Sequence, residues 1–237
     1  MSNSYFQFKQ FRIEQDRCAM KVGTDGVLFG AWISAQGAQS ILDIGTGTGL
    51  IALMLAQRCN ASIDAVEIDA DAALQSEDNV KNSPWKDRVS VYNMPFQSFS
   101  ILKKKYDLIV SNPPYFENAK QAHLKNRTIA RHDMLLNRKE LINGIVRVSH
   151  ADSRFAVILP TEGFEEFCSM TKQKGLILNK KTLVRPVPQY PPKRVLAEYS
   201  FRGNRFRTNE LIIEKHGRHQ YSDEYINLTK DFYIKMD

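Results

Sequence analysis

Four consecutive residues near the middle of the sequence can hold an amino nitrogen for a displacement reaction. Asn112, Pro113, Pro114 and Tyr115 end the segment 107–115, whose first part has the pattern of a buried strand. Two prolines in sequence stiffen the backbone, which places the Pro113 carbonyl beside the side-chain oxygen of Asn112. These two acceptors can take both hydrogens of one NH2 group and aim its nitrogen at an electrophilic methyl group. The ring of Tyr115 adds a flat face on which a planar substrate can stack.

A glycine-rich turn carries the second chemical signal. The segment Asp43–Gly49 follows a predicted strand and has the glycine spacing G-x-G-x-G, whereas pyrophosphate-binding turns have G-x-G-x-x-G. Asp43 would repel a pyrophosphate, but its carboxylate suits a ligand that bears ammonium and sulfonium charges. Glu67, at the end of the next predicted strand, can accept hydrogen bonds from both hydroxyls of a ribose. The turn, Asp43 and Glu67 together predict S-adenosylmethionine as the cofactor.

Two further residues extend the predicted cofactor site toward an adenine ring. Asn93 and Met94 follow the third predicted strand, where backbone groups and an adaptable Met side chain can contact a purine. Met94 and Phe96 can also be explained as core residues. The predicted cofactor contacts in this part of the chain are Asp43, Gly45, Thr46, Gly47, Glu67, Ile68, Asn93, Met94 and Asn112.

The elements that must position these residues alternate between strand and helix patterns. Strands are predicted at 40–44, 62–68, 88–92, 106–111, 154–159, 180–187 and 194–202, and helices at 50–58, 71–81, 140–149 and 162–174. The proline-rich linker before residue 194 is too short for a parallel crossover, so the last two strands must pair antiparallel. This predicts an α/β fold with a seven-stranded, mostly parallel sheet and an antiparallel C-terminal hairpin, typical of class I methyltransferases. We expect one domain over residues 1–237, with 1–39 as a cap or lid and 40–237 as catalytic core and tail.

Composition favours a polyanionic partner and a cytoplasmic protein. The net charge is +7, and it is uneven: residues 172–218 carry twelve basic side chains against three acidic ones. No apolar run approaches the length that crosses a bilayer, so no membrane association is expected. Three separated cysteines and the pair His216 and His219 do not have the spacing of a metal site, so no metal is expected.

The residues Asn112–Tyr115 resemble the Asn-Pro-Pro-Tyr motif of amino-methyltransferases that act on adenine, cytosine or glutamine nitrogens. Beyond it, segments 8–11, 20–32, 191–196 and 221–233 resemble those of bacterial tRNA(Val) adenine-37 N6-methyltransferases. This resemblance spans nearly the whole chain and departs from the family only conservatively, as at Phe29. It implies methylation at N6 of the adenine that lies 3′ of the anticodon in a tRNA. It also implies that Lys21, Gly23 and Thr24 approach the methionine end of the cofactor.

Two other functions remain open from the sequence. A protein glutamine-N5 methyltransferase would share Asn-Pro-Pro-Tyr, but only about forty residues precede the first predicted strand, which argues against a separate recognition domain. A non-catalytic RNA-binding module would not need Asn112 or Glu67. The basic segments favour tRNA as the partner of a monomeric enzyme. The predicted RNA contacts are Arg127, Arg131, Lys193 and Arg194.

Overall fold

The structure is a computed structural model that describes residues 3–102, 104–113, 136–203 and 205–236. The strands of this part are β1 (Tyr5–Gln7), β2 (Arg12–Glu14), β3 (Ser40–Ile44), β4 (Ser62–Glu67), β5 (Val89–Asn93), β6 (Tyr106–Ser111), β7 (Ser149–Pro160), β8 (Ile177–Arg185), β9 (Arg194–Ser200) and β10 (Arg207–Ile212). Its helices are α1 (Thr24–Trp32), α2 (Leu50–Arg58), α3 (Ala70–Lys81), α4 (Phe96–Phe99), α5 (Arg138–Val148), α6 (Phe164–Gln173) and α7 (Asp223–Thr229).

One eight-stranded sheet organises the molecule, in the order β10-β8-β9-β7-β6-β3-β4-β5. Strands β3 to β7 pair in parallel with their neighbours within this group, whereas β9 runs antiparallel to both β7 and β8. The predicted mostly parallel sheet and its antiparallel hairpin are therefore confirmed. Because all the parallel strands end at the same edge, the loops that follow them meet there.

The sheet has one strand more than the seven predicted. Strand β10 pairs in parallel with β8 at the sheet's outer edge, and its first four residues are exposed. An edge strand that buries little has no apolar alternation, so its sequence does not distinguish it from a polar loop. The fold class is unchanged by this addition.

Local signals in the sequence account for where the helices begin. Helix α3 has Asp69 as its N-cap, and the Asp69 carboxylate accepts a hydrogen bond from the backbone N–H of Ala72 at 3.0 Å. Helix α5 begins with a capping box, in which Asn137 and Glu140 each accept from the other's backbone N–H. These caps fix the helix starts, and therefore the lengths of the loops that carry the site.

The segment before Ser40 contributes to the hydrophobic core. Helix α1 is buried from Gly26 to Trp32 and packs against α2 and α7. Phe8, Phe11 and Ile13, from the β1–β2 hairpin region, join the same core cluster. A helix that is apolar on all sides lacks the amphipathic period by which helices are recognised. The expectation that residues 1–39 form a cap stays a prediction, and α1 itself lies inside the packed core.

Candidate functional site

The candidate site lies where β3, β4, β5 and β6 end at the carboxyl edge of the sheet. The glycine turn after β3 is tied to β4, because the N–H groups of Gly45 and Thr46 donate to the Val66 carbonyl at 2.8 and 3.1 Å. Gly45 and Gly47 have φ values of 72° and 57°, in the left-handed region that favours glycine. A Cβ atom added at either position would meet nothing within 4 Å. The backbone of the turn therefore faces open space in which a ligand can lie against it.

Asp43 lies beneath this turn and is completely buried, with an exposed fraction of 0%. The Thr46 hydroxyl donates to its Oδ2 atom at 2.6 Å, whereas Oδ1 is buried and has no hydrogen-bond partner among the described residues. Burial raises the pKa of Asp43 to about 7, against the opposing effects of the Thr46 side chain and the Ala52 backbone N–H. An unsatisfied carboxylate in a buried position is costly, which points to a cationic partner that the fold itself does not supply.

Glu67 connects the glycine turn to the next loop. Its Oε2 atom accepts from the Gly47 N–H at 2.9 Å, and its Oε1 atom accepts from the Asp69 N–H at 2.9 Å. An ionised carboxylate has about four acceptor sites, so two remain for ligand hydroxyl groups. Ile68, the next residue, is partly exposed at the same edge. Glu67 is therefore oriented before any ligand arrives, and it keeps acceptor capacity for one.

Asn93 and Met94 lie beside Glu67, because β4 and β5 are neighbouring strands in which Glu67 pairs with Asn93. The Asn93 side-chain amide donates to the Glu67 carbonyl at 3.0 Å, and the Met94 N–H donates to the same carbonyl at 3.0 Å. The Met94 side chain is only partly buried, and it packs against the hydrophobic core cluster that contains Val66. Met94 therefore contributes to the core, and its predicted contact with the adenine ring stays a prediction.

Asn112 and Pro113 follow β6, which is the strand beside β3. Ser111 pairs with Ile44 in the sheet register, and the Ser111 hydroxyl donates to the Ile44 carbonyl at 3.0 Å. Asn112 is half-buried and Pro113 is buried. The first residue after each of these paired strands is therefore Gly45 on one side and Asn112 on the other. The predicted residues Pro114, Tyr115, Arg127 and Arg131 lie outside the described residues.

The N-terminal residues predicted to approach the cofactor lie at the start of α1. Gly23 is the N-cap of this helix and Thr24 its first residue, and both are exposed. The Lys21 ammonium donates to the Asn3 carbonyl at 3.3 Å. A Cβ atom added at Gly26 would lie 3.0 Å from Leu50, the first residue of α2, so the first turn of α1 adjoins the glycine turn.

A nearby thiol gives further evidence that the N-terminal segment reaches the site. Burial and, to a smaller extent, the negative charges of Glu67 and Asp69 together raise the pKa of Cys18 to about 11. This electrostatic effect requires the segment before α1 to lie close to the carboxylates that follow β4. The reactive thiolate form of Cys18 is therefore disfavoured, and its place here is structural.

Asn79 is a positioning residue that the sequence patterns missed. Its side-chain amide donates to the carbonyls of Glu14 and Thr48, both at 2.9 Å, and its Oδ1 atom accepts from the Glu14 N–H at 2.8 Å. It therefore ties β2, the glycine turn and α3 together from a buried position. Asn is disfavoured inside a helix, so Asn79, four residues after Gln75 on the same face of the predicted helix, could have indicated a buried polar contact. The Gln75 side chain accepts from the Arg17 N–H at 3.0 Å in the same way.

The two described residues predicted to contact RNA have different surroundings. Lys193 is exposed, and its backbone bonds to Val184 and Thr161. The Arg194 guanidinium donates to the Asp25 carboxylate at 2.8 Å, and the two side chains are 27% and 31% exposed. The exposed Lys193 side chain is accessible to a phosphate group, whereas Arg194 already forms an ion pair with Asp25 of α1. Both RNA contacts stay predictions.

The residues at this edge fit S-adenosylmethionine. The buried Oδ1 atom of Asp43 can face a cationic methionine group, and the open backbone at Gly45 and Gly47 allows close approach. Glu67 retains acceptors for ribose hydroxyls. Within the described residues, no group of three His, Cys, Asp or Glu side chains could hold a metal ion. No described helix is long and apolar enough to cross a membrane.

Replacing Glu67 by glutamine should weaken cofactor binding by about tenfold, because one of its two oxygens becomes an NH2 donor. That donor would oppose the N–H of Gly47 or Asp69, so the glycine turn should also lose stability. Calorimetric titration with S-adenosylmethionine measures the dissociation constant. Asp78→Asn, at an exposed position of α3 that pairs with Arg17, is the control and should leave it unchanged. An unaltered dissociation constant for Glu67→Gln would remove Glu67 from the cofactor site.

The chain is similar to known methyltransferases over most or all of its length. A family model described as "Methyltransferase small domain" matches residues 22–158. A Phocaeicola vulgatus protein named tRNA1(Val) (adenine(37)-N6)-methyltransferase is 49% identical over 236 residues, which cover 100% of both chains. A Trichodesmium erythraeum protein of the same name is 48% identical over 239 residues, covering 99% of this chain and 100% of the relative.

Solved structures give the same fold at much lower sequence identity. A predicted O-methyltransferase from Agrobacterium tumefaciens superposes with a TM-score of 0.68 at 16% identity, over 88% of this chain and 96% of that one. Identity at this level supports the fold and nothing finer. The predicted class I methyltransferase fold is thereby confirmed.

Proposed function

Because this chain belongs to the methyltransferase small domain family and, within it, to the tRNA1(Val) (adenine(37)-N6)-methyltransferases, we propose that it methylates N6 of an adenine in tRNA. The methyl donor is S-adenosylmethionine. The target that the relatives' names specify is adenine 37 of a valine tRNA. Position 37 lies in the anticodon loop, where bases are accessible without opening a duplex.

One observation carries the proposal: Asn112 and Pro113 are adjacent to the glycine turn at the same sheet edge. Ser111 and Ile44 are paired across neighbouring strands, so the residues that follow them, Asn112 and Gly45, are about 5 Å apart. A nitrogen held by Asn112 therefore lies beside the surface that fits the cofactor. Such proximity is what a displacement reaction between two bound molecules requires.

The residues of the chain would then act on the amino group of adenine. The Asn112 side-chain oxygen and the Pro113 carbonyl accept its two hydrogens, which holds the nitrogen in one orientation. Pro113 is buried directly after β6, and its ring fixes its own φ angle. No basic side chain has to remove a proton before attack, because the nitrogen becomes acidic only once it is cationic and can then release a proton to water.

The proposal is tested by supplying methyl-labelled S-adenosylmethionine and bulk tRNA, followed by digestion and identification of the labelled nucleoside. We expect label in N6-methyladenosine, and its loss when adenine 37 of the valine tRNA is replaced by guanine. A parallel reaction contains release factor in place of tRNA. Label in a glutamine side chain and none in tRNA would contradict the proposal and support the glutamine-N5 alternative. Absence of label in either substrate would favour a binding-only module.

Two further expectations about the whole protein remain proposals. We propose that it works as a monomer in the cytoplasm, where its tRNA substrate is found. Sedimentation of the purified protein with and without tRNA tests the first of these. A mass of two chains per complex would contradict it.

A further inference from the structure

The carboxyl edge of the sheet continues beyond the candidate site on the side away from the cofactor residues. The loop that joins β8 to β9, residues 186–193, lies at this edge because β8 runs in the same direction as β7. The segment 213–221 after β10 lies there too, since β10 is parallel to β8. Backbone bonds from Ile213 to Arg185 and from Glu214 to Pro186 hold the two segments together.

The loop 186–193 projects past the level at which β6 ends. Ser111 is level with Val157, which pairs with Ala197, whereas Arg194 at the end of the loop pairs with Pro160. At about 3.3 Å per residue the loop therefore begins about 10 Å above the level of Ser111. Its two ends lie two strands (β9) and three strands (β8) away from β6, or about 10 and 14 Å sideways. A nucleotide next to one held at Asn112 would thus come within reach of the loop.

The loop is rigid and well anchored, yet its tip is exposed. The Arg185 guanidinium donates to the Tyr190 carbonyl at 2.9 Å, and Thr161 bonds to the backbone of Pro192 and Lys193. Prolines at four of its eight positions restrict the backbone further. The Tyr190 side chain is nevertheless 58% exposed. An exposed aromatic ring on a rigid loop loses little conformational entropy when it binds a planar ligand.

The charge around Tyr190 is positive. Between Arg185 and Arg194 there is no acidic residue, and Lys193 is exposed. In the adjoining segment 213–221, Arg218 is also exposed, and Glu214 is the one acidic residue against Lys215 and Arg218. His219 adopts a left-handed backbone conformation, with φ of 68°, and its N–H donates to the Glu214 carboxylate at 2.8 Å. An aromatic ring among cations is the combination by which proteins bind unpaired nucleotides.

We propose that Tyr190 stacks on an unpaired base of the tRNA anticodon loop that neighbours the target adenine, while Lys193 contacts the adjoining phosphate. This inference rests on the proposed function and extends it by naming a substrate-binding residue. The Arg194–Asp25 ion pair joins the base of the loop to the first turn of α1. Arg194 is therefore a positioning residue that ties the end of the loop to α1.

Tyr190→Ala tests the proposal through the dissociation constant of tRNA, measured by filter binding, together with KM and kcat. We expect the dissociation constant and KM for tRNA to rise about tenfold, since one stacked base is lost. Tyr190→Phe keeps the ring and should stay within about twofold of the wild-type protein. Affinity for S-adenosylmethionine and the melting temperature should be unchanged in both variants.

Phe206→Ala is the matched control. Phe206 is 50% exposed and lies between Arg205 and Arg207, but it precedes β10 and so lies at the opposite edge of the sheet. It should leave tRNA affinity unchanged. Lys193→Gln should lower the slope of log affinity against log salt by about one, whereas Tyr190→Ala should leave that slope as it is.

Three results would overturn the inference: tRNA affinity within twofold of wild type for Tyr190→Ala, an equal loss for Phe206→Ala, or wild-type protein that does not bind tRNA. The first two leave the proposed function intact, provided that the wild-type protein still methylates tRNA. The third contradicts both. The two proposals are therefore separable in one set of measurements.

Discussion

The variant Asn112→Ala should transfer methyl groups about 10³-fold more slowly than the wild-type protein, while its binding of S-adenosylmethionine largely survives. Asn112 is half-buried at the end of β6, beside the glycine turn. Its side-chain oxygen is one of two acceptors proposed to orient the amino nitrogen, and removal of one such preorganised contact costs about 10²–10³ in rate. Single-turnover kinetics with saturating tRNA measure this step directly.

Asn112→Asp is the informative companion variant, because aspartate retains an acceptor oxygen at the same place. It should lose less activity than the alanine variant, although its negative charge alters the local field. Equal losses in the two variants would indicate that the NH2 group or the neutral charge of the amide, and not its acceptor oxygen, is what matters. An alanine variant that keeps more than a tenth of the wild-type rate would contradict the role proposed for Asn112.

Replacing Asp43 by asparagine should have two opposite effects, a large loss of cofactor affinity and a gain in stability of the cofactor-free protein. Truncating the charged partner of a buried pair typically costs 2–5 kcal/mol, so the dissociation constant of S-adenosylmethionine should rise by about 10²-fold. The gain in stability follows from burial, which raises the pKa of Asp43 from 3.8 to about 7 in the folded protein.

The pH dependence of stability has a definite sign. Below pH 3.8 the carboxyl group of Asp43 is protonated in both the folded and the unfolded state, so it does not change the free energy of unfolding. As the pH rises from 3.8 to about 7, the unfolded chain releases its proton first, so the folded state loses stability relative to it. Each pKa unit corresponds to 1.36 kcal/mol, and the full loss above pH 7 is about 4 kcal/mol. Asp43→Asn should abolish this component, which denaturant unfolding at pH 5 and pH 8 can measure.

Cofactor affinity should show the complementary dependence. The charged form of Asp43 suits a cationic ligand, so the affinity for S-adenosylmethionine should increase as the pH rises through about 7, with uptake of the ligand accompanied by proton release. In Asp43→Asn this dependence should disappear. Asp64→Asn serves as a control, since Asp64 is also buried but accepts from Lys104 and Tyr106, both at 2.5 Å, near the opposite end of β4. It should lower stability and leave cofactor affinity unchanged. An Asp43→Asn protein with normal affinity would exclude Asp43 from the cofactor site.

Patterns within short segments predicted most of the sheet and the turns at its edge. Strand β6 and helix α2 have the predicted bounds, because an apolar run or a helical period within one segment specifies them. Asp43, the glycines and Glu67 were recognisable for the same reason. Their spacing along the chain reflects one strand, one helix and the next strand. Strand β10 and helix α1 were not predicted. Strand β10 buries few residues, and helix α1 is buried on every side, so neither has the periodic pattern of apolar residues.

The sequence by itself determined which groups this protein can use: a buried-strand asparagine before two prolines, an acid before a glycine turn, and an excess of basic residues. Only the tertiary structure decided what each group contacts. Sheet register placed Asn112 beside Gly45, and long-range packing gave Asn79 its three bonds across β2, α3 and the glycine turn. It also paired Arg194 with Asp25 and left Tyr190 exposed on the loop between β8 and β9. Partners distant along the chain meet through register and packing, which no local pattern encodes.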